Sequence, residues 1–276
     1  MDKETLKINH IYNMDCLDAM RKLEDDSVDL IVTSPPYANQ RKDTYGGIPE
    51  DEYPNWMLSI SNEIKRILKP TGSFVLNIKE HSVDGVKSTY VLKTVLLLSE
   101  IFMWKDTFIW NKRNPFPTGG NRRLKDGFEY CYWFTKSFDY KFFPDNVLVK
   151  SESVYSESEK KRQNKNPRIT KNGSKMDMHG RYWSELVRPS NVITLTTQNS
   201  PTIHPATFPQ ELSDFFIKLM TEKDDLVYDP FAGSGTTCVS AKSLGRKWIG
   251  TELIKEYVDY ANERISQTNR YKSLFD

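Results

Sequence analysis

Residues 28–32, Val-Asp-Leu-Ile-Val, form the kind of short apolar run a buried strand requires. The run leads straight into Thr33-Ser34-Pro35-Pro36-Tyr37, which no central strand or helix interior holds, because two prolines remove two N–H donors. From 51 to 69 the period changes: Met57, Ile60, Ile64, Ile67 and Leu68 recur at helical spacing, with Pro54 in the first turn. Lys69-Pro70-Thr71-Gly72 is expected to stop that helix, and 73–78 reads as a second strand. Residues 87–102 predict a helix with a broad apolar face, and 103–110 and 128–135 predict strands rich in aromatics. Between those strands, 111–127 is loaded with Pro, Gly and Asn. The last third alternates regularly: helix 209–223, strand 225–228, helix 235–244, strand 246–250, helix 254–267. Strands alternating with helices predict an α/β fold with a parallel sheet covered on both faces.

One stretch breaks the pattern. Residues 150–182 are polar with little apolar periodicity, and nine Lys+Arg against four Asp+Glu give a local +5. The whole chain, at 276 residues, suits one α/β domain carrying an insert. Its overall charge, 39 Lys+Arg minus 37 Asp+Glu, is only +2, so any affinity for nucleic acid must come from local patches. No apolar run approaches the ~18 residues of a membrane span, and no signal peptide is expected at the N-terminus. Cys16, Cys131 and Cys238 are odd in number and far apart, which fits a reducing compartment, and the four histidines form no cluster with metal-ligand spacing.

Two segments carry chemistry. Asp229-Pro230-Phe231-Ala232-Gly233-Ser234-Gly235-Thr236-Thr237 lies between a predicted strand and a predicted helix, where open α/β sheets bind ligands. It lacks the Lys-Ser/Thr of a phosphate-binding loop and the third glycine of the dinucleotide fingerprint. Its amides suit a carboxylate-bearing ligand, and Glu252, at the end of the next strand, is placed to accept from two ribose hydroxyls. A nucleoside with little phosphate is implied, although a Gly-x-Gly turn alone can be purely structural. In Ser34-Pro35-Pro36-Tyr37 the stiffened backbone leaves carbonyls, that of Pro35 included, free to accept from a ligand amine; Ser34 adds a second acceptor and Tyr37 a flat face. A planar heterocycle bearing an exocyclic NH2 fits this set. Two acceptors gripping the amine pull its nitrogen toward tetrahedral geometry and free the lone pair, with no covalent enzyme intermediate.

The chain resembles the amino-directed DNA methyltransferases of restriction–modification systems, in the circularly permuted arrangement called the beta class, over roughly 10–140 and 187–267. Asp15-Cys16-Leu17 together with 27–37 is similar to the family's paired adenosine-contact and catalytic motifs. Ile109-Trp110-Asn111-Lys112 and the segment from Phe128-Glu129-Tyr130 to Phe134-Thr135-Lys136-Ser137 are similar to its later, target-side motifs. His204-Pro205-Ala206-Thr207-Phe208-Pro209 is similar to the segment around the cofactor's methionine end, Asp229 through Thr237 to the S-adenosylmethionine loop, and Glu252 to the ribose acid.

The resemblance implies a Rossmann-like class I methyltransferase sheet of seven strands, mostly parallel, with an antiparallel hairpin at one edge. It assigns 1–137 and 187–276 to the catalytic and cofactor-binding domain and 138–186 to target recognition. It implies methyl transfer from S-adenosylmethionine, leaving S-adenosylhomocysteine, to a base flipped out of double-stranded DNA. In this family a leading serine usually accompanies cytosine N4 and a leading aspartate adenine N6, so Ser34 favours cytosine. Cytosine C5 chemistry needs a cysteine nucleophile, typically after proline, whereas the three cysteines here follow Asp, Tyr and Thr. The implied setting is a prokaryotic cytoplasm, with a cognate restriction endonuclease as partner and the enzyme a monomer or homodimer.

Lys112, Arg113, Arg122, Arg123 and Lys125 stand with Gly119 and Gly120 in a stretch without acids, which suggests phosphate contacts rather than a passive charged face. Two other readings stay open: a nucleic-acid binding module that keeps the fold without catalysis, and a methyltransferase acting on RNA or protein.

Overall fold

The computed structural model describes residues 5–39, 46–83, 85–116, 123–151, 186–197 and 208–268. The chain divides into two compact units, Met1–Phe143 with Asn191–Asp276, and Pro144–Ser190. In chain order the elements are β1 (His10–Asn13), α1 (Cys16–Met20), β2 (Val28–Thr33), α2 (Tyr53–Ile67), β3 (Leu68–Ile78), the small hairpin β4 (Ser82–Val83) and β5 (Val86–Lys87), α3 (Tyr90–Ser99), β6 (Met103–Lys112) and β7 (Phe128–Thr135). There follow β8 (Val149–Lys150), β9 (Leu186–Val187), β10 (Val192–Leu195), α4 (Gln210–Met220), β11 (Leu226–Asp229), α5 (Thr236–Ser243), β12 (Lys247–Glu252) and α6 (Lys255–Gln267). In the smaller unit, β8 pairs antiparallel with β9, and Arg188 donates to Asp145 Oδ1 at 3.0 Å.

The larger unit is built on one sheet of order β1-β12-β11-β2-β3-β7-β6-β10. Every neighbouring pair is parallel except those of β7, which runs against both β3 and β6. The expected seven strands become eight, because Val192–Leu195 adds alongside Ile109–Lys112. The β6–β7 hairpin expected at the edge therefore has one further strand, β10, outside it. Four half-exposed residues are too few to show a period in sequence, and β1 escaped notice for the same reason.

The α2 pattern behaves as its spacing predicts: Met57, Ile60, Ile64 and Ile67 are fully buried. With Tyr90, Val91, Val95 and Leu98 of α3 they join Ile31, Phe74, Leu76, Phe134 and Tyr228 of the sheet in one core. Each such side chain contributes roughly 1.5–3 kcal/mol through burial. The helix ends where expected, but Lys69-Pro70-Thr71-Gly72 makes no separate turn. The four residues lie in β3 at a shift of register, with Leu68 beside Val28 and Ser73 beside Leu30. Pro70 is tolerated there because the ladder is already interrupted.

Candidate active site at the strand ends

Because β1, β12, β11 and β2 are parallel, their carboxyl ends share one edge of the sheet. That edge carries the Ser34–Tyr37 turn after β2, the glycine loop after β11 and Glu252 at the end of β12. Asp229 ties the first two together. Its Oδ1 accepts from Thr33 Oγ1 at 2.6 Å and from the Phe231 amide at 3.0 Å, and its Oδ2 accepts from Thr237 Oγ1 at 2.7 Å. One buried carboxylate thus joins the residue before Ser34 to the first turn of α5. Burial lifts this carboxyl to about 6, opposed by those three hydrogen bonds. Expected as a cofactor contact, Asp229 directs both oxygens into the protein.

Gly233 (φ 51°) and Gly235 (φ 77°) turn the loop through left-handed conformations. Gly235 also lies where α5 crosses α6 closely: a Cβ there would come within 2.9 Å of Ala261 Cβ. The Gly233 amide donates to Glu252 Oε2 at 3.0 Å and the Ile254 amide to Oε1 at 2.8 Å. Both carboxylate oxygens of Glu252 are thus held by backbone amides at the end of β12. Behind the loop, Arg264 donates to the Ser234 carbonyl at 2.6 Å and to its hydroxyl at 2.9 Å. Nothing in the sequence pattern marked Arg264, which sits in a helix among other charged residues.

Beside Glu252, Asn13 Nδ2 donates to the Glu252 and Leu253 carbonyls at 3.0 and 2.8 Å, which draws the end of β1 to the same place. Asp15, expected to touch adenosine, caps α1 by accepting from the Leu17 amide at 2.8 Å. Cys16 is buried, and burial pushes its thiol up to about 12. Cys131 and Cys238 are likewise buried, with thiols raised chiefly by desolvation. Neutral thiols packed in the interior do not serve as nucleophiles.

On the other flank, the amino end of β7 reaches this edge because β7 runs backwards. Ser34 Oγ donates to Tyr37 Oη at 3.4 Å, and Tyr37 Oη donates to Glu129 Oε2 at 3.0 Å. Burial, and next the Glu129 charge, hold the Tyr37 phenol well above its ordinary range, so it stays a donor. Lys112 Nζ lies 2.5 Å from Glu129 Oε1, with its side chain only 13% exposed. This corrects the expectation for Lys112, which faces a buried acid and not solvent. Arg123 is also paired, donating to Asp126 Oδ1 at 2.5 Å and Oδ2 at 3.1 Å, with Lys79 at 3.2 Å from the same acid. The acid-free stretch ends one residue before that partner. Arg113 and Lys125 are exposed. Phe208 is half-buried just ahead of α4, while His204, Ala206 and Arg122 lie outside the described residues, as does 152–185.

The geometry can be set beside known proteins. The profile of the N6_N4_Mtase family, described as DNA methylase, matches residues 28–263. The type II methyltransferase M.PvuII of Proteus hauseri is 30% identical over 286 residues, covering 94% of this chain and 84% of that protein. M.BglII of Bacillus subtilis is 31% identical over 277 residues, covering 97% of this chain and 72% of that one. Among solved structures, PvuII DNA methyltransferase (cytosine-N4-specific) matches with a TM-score of 0.73 at 28% identity, over 98% of this chain and 89% of the other. The fold is also that of M1.HpyAVI, solved as its SAM complex, with a TM-score of 0.56 at 23% identity, over 93% and 98% of the two chains. With that profile matching most of its length, from residue 28 to 263, this chain belongs to the N6_N4_Mtase family of DNA methylases.

Proposed function

We propose that the protein methylates the exocyclic N4 of cytosine in double-stranded DNA, using S-adenosylmethionine, as the modification enzyme of a restriction–modification system. The observation that carries this is the bridge from Thr33 through Asp229 to Thr237, which holds a two-proline acceptor turn against a nucleoside-type loop. The cytosine-N4-specific relative supports the choice of base.

The cofactor supplies, when bound, an electrophilic methyl group on a sulfonium. Glu252 would hold the ribose, the 229–237 loop and Asp15–Cys16 would flank the adenosine, and the segment containing His204, Ala206 and Phe208 would close on the methionine end. The Ser34 hydroxyl and Pro35 carbonyl accept the two hydrogens of the target amine and so expose its lone pair, with the Tyr37 ring beside the base. Arg113, Arg122, Arg123 and Lys125 would contact phosphates, and the Pro144–Ser190 unit would take part in reading the site. A cognate endonuclease, a prokaryotic cytoplasm and a monomeric or dimeric enzyme complete the reading.

The test is sequencing of plasmid DNA from a methylation-free host expressing the chain, by a method that separates N4-methylcytosine from N6-methyladenine. N4-methylcytosine at one site is expected. N6-methyladenine alone would move the assignment to adenine. Unmodified DNA, with cofactor still raising the melting temperature, would make the protein a binding module.

A further inference from the structure

The Ser34 hydroxyl can donate or accept, and the reading above needs it to accept. Its sense is set by two residues on neighbouring strands, outside both the turn and the glycine loop. Glu129 and Lys112 stand at the start of β7 and the end of β6, and their 2.5 Å contact occupies Glu129 Oε1. Glu129 Oε2 faces Tyr37 Oη at 3.0 Å. A carboxylate accepts only and an ammonium donates only. The single hydrogen of Tyr37 is therefore committed to Glu129, leaving the phenol oxygen to accept from Ser34 at 3.4 Å. That commits the single hydrogen of Ser34 in turn, and the lone pairs of its oxygen are what remain for an incoming base.

We propose that Glu129 and Lys112 are positioning residues: acting through Tyr37, they hold the Ser34 hydroxyl as an acceptor for the target's amino group. The same polarity selects against a base with a carbonyl at that position, since Ser34 could donate to it only by releasing Tyr37. The proposal rests on the reading of Ser34 as a contact of the target amine.

The test uses the full chain and a duplex carrying the site found by plasmid sequencing. Tyr37→Phe keeps the ring and removes the link. A paired Lys112→Met, Glu129→Met variant removes the source of polarity without leaving a buried charge unpaired. Single-turnover methylation at saturating cofactor and DNA is expected to fall roughly 10- to 100-fold in each, as misdirected catalytic groups do. DNA affinity and the cofactor-induced melting shift should stay within about twofold of the unaltered protein. Combining all three changes should cost no more than the larger single loss, because the residues act as one chain. Tyr37→Phe at a rate within about threefold of the unaltered protein would overturn the proposal, as would losses that multiply on combination. If the paired variant does not fold, Tyr37→Phe alone decides. Failure of the functional reading shows separately, as no methylated product from the unaltered protein, and removes this inference with it.

Discussion

The two halves of the working edge are made in different ways. On the glycine-loop side, Asp229, Gly233, Ser234 and Glu252 come from two neighbouring strand ends, and their bonds are mostly to backbone amides and adjacent hydroxyls. On the turn side, Ser34, Tyr37, Lys112 and Glu129 come from three strands, and only side-chain atoms join them. A cradle shaped by backbone depends on conformation, so few residue types can occupy it. A chain of side chains depends on hydrogen-bond sense, so a change of one atom can silence it and leave the fold intact. Cofactor binding and methyl transfer should therefore be separable by mutation.

The largest expected effect breaks the turn side alone. Ser34→Ala should lower single-turnover methylation by roughly 10²–10³-fold, the range seen when one preorganised polar contact is lost, while the cofactor-induced melting shift is unchanged. Equal loss of both would mean that the halves are not independent. Next comes the conformational claim. Gly235→Ala places a Cβ at φ 77° and within 2.9 Å of Ala261, and should cost about 2–4 kcal/mol in urea unfolding. Gly127, with open space around its Cβ position, is the control, and Gly127→Ala should sit near the wild type. Glu252→Gln should weaken cofactor affinity about 10-fold or more by calorimetry, since bonds to a charged acceptor are worth roughly 1.5–3 kcal/mol, yet leave the rate at saturating cofactor within a few-fold.

The smallest effect concerns pH. Asp229 titrates near 6 in the folded chain, above the ordinary aspartate value of about 3.9. A raised carboxyl binds its proton more tightly when folded, so its stabilisation is full below the unfolded value and is lost as pH rises through about 6. Melting of the wild type should gain on Asp229→Asn as pH falls from 7 to 5, by a few degrees at most for a chain of this length. A constant gap across that range would show that Asp229 titrates normally.

What the sequence showed, and what it hid, follows the same division. Asp229 to Thr237 and Glu252 could be read directly, because backbone cradles write themselves as contiguous glycines and a nearby acid. The Ser34–Tyr37 turn was equally plain. Glu129 and Lys112 were visible only as parts of resembling motifs, since their partnership depends on the pairing of Trp110 with Glu129 across β6 and β7. Lys112 looked like a phosphate contact because a lysine in a basic stretch gives no sign of the acid 17 residues later that claims it. Arg264 was silent, as a helical arginine that packs behind a loop shares its spacing with any solvent-facing one.

The reversed course of β7 has one more consequence. In an all-parallel sheet only segments leaving a strand arrive at the working edge. Here β6 ends and β7 begins on that edge, so residues 113–127 both start and finish there. Insertions or deletions in that connection would change a segment whose two ends both sit at the working edge, without disturbing any strand register.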